Sequence, residues 1–393
     1  MVSERRSFRE FYFPKVSEEE WNDYRWHYKK SIKDLDTLAT FLKIKAEHFY
    51  KLRKYEKKLH LSITPYYLSL IDPENYDDPV RKQCVPSPLE FESVEGINDP
   101  LGEKNNSPLA GVIHKYPDRA LFLVTNLCPV YCRHCFRREE WKKGERIKTP
   151  TDLKKMIDYV KANSSIKEVI ISGGDPLFLS DFLLEFILKE LRSIPNVEII
   201  RIASRIPVVL PQRINDSIAS IFKKYSPIWF ITHFNHQNEV TSEAQSAIDK
   251  LIFSKVFVLN QSVLLKGVND KSKTLEELFR KLLKIGVKPY YLFQCDPAKG
   301  VSHFRTSVFK GLEIMEYIRG RLSGLAQPTY ALDTEGGGKV PLLPNYIVSY
   351  KENSLIVRNY EGNFFEYLNP FPEKEELAPV LPFDEKIREK VDN

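Results

Sequence analysis

The chain has 393 residues, 42% of them hydrophobic and 28% charged, with a net charge of +6 from 59 basic and 53 acidic side chains. That apolar content suffices for a large buried core, and the charges are interleaved, as in YKLRKYEKKLH at 50–60, which reads as a solvated face rather than a nucleic-acid-binding tract. No apolar run approaches the ~20 residues of a membrane helix and the amino terminus, MVSERRSFRE, lacks the apolar stretch of a secretory signal, so a cytoplasmic protein is expected, with neither membrane nor nucleic acid as partner.

Ser17 and Glu20 make a capping box, after which Trp21, Tyr24, Tyr28, Ile32, Leu35, Leu38 and Leu42 recur at three- and four-residue steps. This spacing predicts one face of a long helix. From Pro73 to Pro108 the chain is Pro-rich and has neither helical nor strand period, so an extended connection over the surface is expected. Residues 1–105 are accordingly read as an N-terminal helical arm with its connection.

Over 106–325 short apolar runs stand at Ala120–Thr125, Val169–Ser172, Val197–Ile202, Ile228–Thr232, Val256–Val263 and Pro289–Gln294, separated by amphipathic segments such as 181–194 and 274–286. This β-α repetition predicts an α/β fold, a partial barrel of six β/α units. In such a barrel, chemistry sits at the carboxyl ends of the strands. Cys128, Cys132 and Cys135 follow the first run, Gly173-Gly174-Asp175 the second and Ser204-Arg205 the third. His233 to His236 follow the fourth, Asn260-Gln261 close the fifth, and Gln294-Cys295-Asp296 the sixth. A helix over 307–322 then leads into a small C-terminal extension, 326–393, with Lys339, the strand-like pieces IVSY, LIVRNY and FFEYL, and a Pro- and Glu-rich end expected to be partly disordered.

The stretch CPVYCRHCFRR, 128–138, spaces its cysteines C-x3-C-x2-C and supplies no fourth. Structural zinc takes four protein ligands, and the other two cysteines, Cys84 and Cys295, lie far away in sequence and read as inert core thiols. Three thiolates with a vacancy suit a cubane cluster whose unique iron stays open to an outside ligand. The motif after the first strand of a β/α barrel resembles that of the radical S-adenosylmethionine (SAM) enzymes. The surrounding HKYPDRALFLVTNLCPVYCRHCFRR (114–138), with SGGDP (172–176), RIASRIPVVLPQR (201–213), THFNHQNE (232–239), NQSVLLKGVND (260–270), QCDPAKGVSHFRT (294–306) and GGGKVPLLPNY (336–346), resembles the lysine 2,3-aminomutase family in particular.

What the resemblance implies is specific. Cys128, Cys132 and Cys135 would hold a [4Fe–4S] cluster, with His134, Gly173, Gly174, Asp175, Ser204, Arg205 and Gln261 around SAM. Lys339 would form a Schiff base with pyridoxal 5′-phosphate (PLP), whose phosphate would meet Lys115, Tyr116 and Arg119, Lys115 standing where arginine is common. Arg137 would clamp the substrate carboxylate, and Asp296 and Asp333 its distal ammonium. The segment from Asp333 to Lys339 looks one residue shorter than the usual family loop, with Glu335 where proline is frequent. Zinc is not expected, because no cysteine follows Cys295. The implied activity is an isomerase converting L-lysine to L-β-lysine, a 1,2-amino migration, in a homo-oligomer served by an electron donor such as flavodoxin or ferredoxin. Arginine, or a lysyl group of elongation factor P, are alternative substrates. A zinc-stabilised nucleic-acid-binding protein is the reading from another class, and it leaves the polar groups at six strand ends unexplained.

Overall fold

The computed structural model describes residues 7–56, 59–92, 96–144, 146–334, 338–351 and 354–368. Glu335, Gly336 and Gly337 of the loop before Lys339, and the Pro- and Glu-rich end, lie outside the described residues.

All six predicted runs are strands. They are β2 (Arg119–Thr125), β3 (Glu168–Gly173), β4 (Ile199–Ala203), β5 (Ile228–Thr232), β6 (Val256–Leu264) and β7 (Lys288–Gln294), in spatial order along the chain and all parallel. A helix follows each of them: α1 (Pro150–Ala162), α2 (Asp181–Arg192), α3 (Asp216–Lys224), α4 (Ser242–Phe253), α5 (Ser272–Lys284) and α6 (Val308–Ile318). The last crossover ends in a further parallel strand, β8 (Thr329–Thr334). A strand before β2, β1 (Val112–Tyr116), and one after β8, β9 (Gly338–Pro341), are antiparallel to their neighbours and form the two edges of the nine-stranded sheet. The architecture is therefore a partial barrel of six β/α units.

Each element follows from its residues. On β2, Ala120, Phe122 and Val124 are buried toward the helical layer while Arg119, Leu121 and Leu123 alternate onto the other face. The helices turn apolar stripes inward, for example Leu184, Ile187, Leu188 and Leu191 on α2 and Leu275, Leu278, Phe279 and Leu282 on α5. Thr149, Ser180, Asn215, Thr241 and Ser307 cap the starts of α1, α2, α3, α4 and α6, and α1 has a full capping box with Asp152. No helix among the described residues is long and apolar enough to cross a membrane.

The structure corrects three expectations outside the barrel. The long helix predicted from Trp21 to Leu42 is three short ones, Glu18–Asn22, Tyr24–Lys29 and Leu35–Phe41. Asp23 ends the first and its carboxylate caps the second, while Asp34 caps the third, so the apolar period continues through breaks that its spacing cannot reveal. The Pro-rich connection is not a surface wrap: Pro79–Cys84 is a helix with Asp78 as its cap, and Val80, Arg81, Gln83, Cys84 and Glu90 are buried. Proline there occupies the first helical position, where its missing N–H costs nothing. The third concerns the domain limits. Residues up to Leu342 form one unit and those from Leu343 another, so neither 105/106 nor 325/326 is a boundary. Trp21, Ile32, Leu38 and Tyr67 share one apolar cluster with Phe122, Ile171 and Phe230 of the barrel, and β8 and β9 extend the barrel's own sheet. The second unit is an antiparallel sheet of β10 (Ile347–Lys351), β11 (Ser354–Arg358) and β12 (Phe364–Leu368), matching the three strand-like pieces.

Candidate active site

A cavity of about 650 Å³ opens at the carboxyl ends of the parallel strands. Cys128, Cys132 and Cys135 line it from the loop after β2, and that loop is fastened from several sides. Gly174 N donates to Thr125 O at 2.6 Å, Asp175 N to Leu127 O at 2.7 Å, Tyr131 N to Ser62 O at 3.3 Å and Arg133 N to Gln83 O at 2.8 Å. The glycines at the end of β3 are required by this approach. A Cβ on Gly173 would stand 2.2 Å from Thr125 O and one on Gly174 2.2 Å from Leu127 O, and Gly173 has φ +124°. The atoms nearest to both positions are the backbone leading into the cysteine loop.

Behind the loop lies a buried charge cluster. Glu90 accepts Nε of Arg133 at 2.9 Å and Nη2 at 2.5 Å, and also pairs with Arg138. Burial opposes ionisation of Glu90, but the two guanidinium groups hold its pKa down to about 2. Glu90→Ala strands two buried cations and is expected to lower unfolding free energy by about 3–5 kcal/mol, read from the denaturant midpoint. Because the folded pKa lies below the usual value of 4.5, this stabilisation is fully present above 4.5 and is lost as pH falls toward 2. The variant should lack that part of the acid sensitivity.

Thiols surrounded by protein resist ionisation: burial pushes Cys128 well up and Cys135 up to about 11. Bound iron would stabilise the thiolates. Among the described residues, no three His, Cys, Asp or Glu groups are arranged around a single metal ion. A cubane takes one thiolate per iron, so its ligands need not converge on a point. Cys84 and Cys295 are fully buried with thiols raised by burial, as inert core residues are, and neither lines the cavity.

Next to the thiols, His134 lines the cavity with its pKa driven well down by burial and by Arg205. Asn235 Nδ2 donates to its Nε2 at 3.4 Å, so the neutral ring carries its proton on Nδ1, which is buried without a partner. An orphaned donor of this kind suits a bound polar ligand. Asp175 is consumed by scaffold contacts instead. It accepts Ser204 Oγ at 2.7 Å, Arg205 N at 2.8 Å and Leu177 N at 3.1 Å, and burial pushes its pKa up to about 6. Ser204 sits behind it and does not line the cavity. Arg205 reaches Cys132 Sγ at 2.7 Å, Gln83 Oε1 at 2.6 Å, Glu239 Oε1 at 2.7 Å and Tyr67 Oη at 3.0 Å. Gln261 lines the cavity, and its carbonyl accepts Nδ1–H of His233 at 3.2 Å.

The opposite wall is built by β1, β7, β8 and β9. Asp333 and Lys339 are direct cross-strand partners on β8 and β9, with Nζ 3.6 Å from Oδ2, and Nζ lies 5.4 Å above the Phe293 ring. Lys339 N donates to Tyr116 Oη at 3.1 Å, while Gly338, at φ +75°, leaves space for that hydroxyl. The Arg119 guanidinium lies over the Tyr116 ring at 4.0 Å, and Lys115 Nζ donates to Leu101 O at 3.3 Å and Thr334 O at 3.4 Å. With Arg201 and the Tyr290 and Tyr291 rings in the same wall, an amine, cations and aromatic faces meet, a donor set suited to a phosphorylated aromatic aldehyde. Asp296 lines the cavity too, pushed up to about 7 by burial and then by the Asp333 carboxylate, against the pull of Lys339 and Arg137. Arg137 donates to both oxygens of Glu103, the shortest contact 2.6 Å.

Every predicted site residue except Ser204 thus lines one cavity. Sequence reasoning missed Glu103, Gln83, Glu90 and Tyr67, all from the first 105 residues, where no strand end marked them. It also gave no role to Glu239, although the block THFNHQNE contains it.

The Radical SAM superfamily matches residues 122–282 and the family Lysine-2,3-aminomutase matches residues 315–385. A putative L-lysine 2,3-aminomutase of Aquifex aeolicus is 48% identical, covering 91% of this chain and 97% of its own length. The L-lysine 2,3-aminomutase of Clostridium subterminale is 46% identical over 91% of this chain and 86% of its own, and the glutamate 2,3-aminomutase of Clostridioides difficile 40% over 95% and 87%. Identity at this level over nine-tenths of the chain, together with three cysteines at the mouth of a partial barrel, makes this chain an isomerase of the lysine 2,3-aminomutase family of radical SAM enzymes, a membership that implies a [4Fe–4S] cluster and SAM.

Proposed function

We propose that the chain converts L-lysine to L-β-lysine with PLP as a further cofactor. The observation that carries this is the charge layout of the cavity, with Arg137 on one segment and the carboxylates Asp296 and Asp333 on others. An α-amino acid with a cationic tail complements that layout. At an effective dielectric constant near 20, unit charges about 4 Å apart interact by about 4 kcal/mol, favourably for an ammonium beside either aspartate and unfavourably for a second carboxylate. The glutamate 2,3-aminomutase relative therefore does not decide the substrate, because two acidic side chains oppose a glutamate tail.

In this reading, the cluster and SAM supply a carbon-centred radical when bound, and PLP supplies conjugation through which an amino nitrogen can migrate. The protein's part is placement. Cys128, Cys132 and Cys135 hold iron, His134, Gly173, Gly174, Arg205 and Gln261 flank SAM, and Asp175 with Ser204 keep the β3 and β4 ends in register around it. Lys339 provides the amine for PLP, with Lys115, Tyr116 and Arg119 around its phosphate. Arg137 takes the substrate carboxylate and the two aspartates its ammonium, fixing the carbon chain between the cofactors and away from water. A one-electron donor such as flavodoxin or ferredoxin and a homo-oligomeric state accompany the proposal.

Anaerobic incubation of the reconstituted protein with SAM, PLP, dithionite and, separately, L-lysine, L-arginine, L-glutamate or elongation factor P tests it. A β-isomer from lysine alone is the expected result. A β-isomer from glutamate, or modified elongation factor with free lysine untouched, would refute it.

A further inference from the structure

The segment from Ile97 to Glu103 is tied to three parts of the cavity wall. Ile97 N donates to Pro297 O at 2.7 Å and its carbonyl accepts Lys299 N at 3.1 Å, directly after Asp296. Leu101 O accepts Lys115 Nζ. Glu103 then reaches Arg137, with Nε at 2.9 and 3.2 Å from the two carboxylate oxygens and Nη2 at 2.6 Å. The turn that carries Glu103 is held in its own right, since the carboxylate of Asp99 accepts the amides of Glu103 and Lys104, each at 2.9 Å.

A guanidinium has two hydrogen-bonding edges. Glu103 occupies the Nε–Nη2 edge, and the ring of Phe136 lies 4.6 Å from the guanidinium carbon. No hydrogen bond to Nη1 is made by the described residues. Arg137 and Glu103 each keep 17% of their side chains exposed, and both line the cavity. The geometry points to Glu103 as the positioning residue of the carboxylate clamp: it fixes one edge of Arg137 so that the Nη1–Nη2 edge is presented, already oriented, to the carboxylate of an α-amino acid. This rests on the reading that Arg137 takes that carboxylate. A pre-oriented fork loses less side-chain freedom on binding than a free one. Without Glu103 the guanidinium would have Glu140 within electrostatic reach as an alternative partner.

The test is equilibrium binding of L-lysine and of 1,5-diaminopentane, which is lysine without its carboxylate, to the full-length protein loaded with its cofactors. Glu103→Ala is expected to weaken lysine binding by about tenfold or more and to leave diaminopentane within about twofold. Glu103→Gln, whose amide oxygen still accepts one N–H, should fall between wild type and Glu103→Ala, with an unchanged thermal midpoint showing that the fold is intact. In an Arg137→Ala background, Glu103→Ala should have no further effect. Tighter lysine binding by Glu103→Ala would mean that Glu103 competes for the guanidinium, and equal weakening of both ligands, or an undiminished effect without Arg137, would mean a structural role; each overturns the inference. Binding is read without turnover, so a wild type that holds lysine but makes no β-lysine counts against the reaction alone. A wild type that binds lysine no better than diaminopentane removes the clamp and the inference with it.

Discussion

Lys339→Ala, reconstituted anaerobically with iron, sulfide, SAM and PLP and then reduced with borohydride, is expected to carry no covalently attached PLP and to lose turnover by roughly a thousandfold or more. Its iron content should equal that of the wild type. The change is clean because the Lys339 side chain is 37% exposed and its ion pair among the described residues, to Asp333 at 3.6 Å, is loose, so truncation opens no core cavity. The cysteine loop is tied by the ends of β3 and by residues 62 and 83, none of which touches Lys339 in this network. Lys115 is the second amine in the cavity, and its Nζ is occupied by two backbone carbonyls. Label recovered on Lys115 in the variant would show that the wrong lysine has been assigned.

Asp296→Asn combined with Asp333→Asn is expected to raise the KM for L-lysine by roughly a hundredfold or more, since a hydrogen bond to a charged partner contributes about 1.5–3 kcal/mol. The single change at Asp296 should also alter the pH profile. In the free site its pKa is pushed up to about 7, so the carboxyl is neutral below that pH, and a cationic ligand binds in competition with the proton. The KM for lysine should be flat above about 7 and climb toward tenfold per pH unit below it, and Asp296→Asn should abolish that limb. A wild-type KM that does not change between pH 6 and 8 would place the ammonium elsewhere.

The barrel was legible because its physics is local. A strand of β-branched and apolar residues followed by a polar pair, then an amphipathic helix, repeats through β2 to β7, and each polar pair falls at the end where a barrel puts its chemistry. The cysteine motif was legible for the same reason, its ligands being adjacent in sequence. β8 escaped notice because its last three residues, Leu332, Asp333 and Thr334, are only partly buried and give no apolar run. The first 105 residues hid their part more thoroughly. Gln83, Glu90 and Glu103 reach the cavity or its support across 34 to 122 residues of sequence, through contacts that leave no periodic trace. Proline after Asp78 looked like a breaker and is a helix start. At Gly173, Gly174 and Asp175 the close backbone approach and the buried carboxylate network are invisible until the β2 and β4 ends are brought alongside.

The most direct measurement is the fate of the migrating nitrogen. Reconstituted protein given L-lysine labelled with 15N on its α-amino group, with SAM, PLP and dithionite, should yield β-lysine with 15N on carbon 3, undiluted by unlabelled ammonium added to the mixture. Unlabelled β-lysine, or no β-lysine at all while SAM and iron are bound, would contradict an intramolecular 1,2-amino shift on lysine.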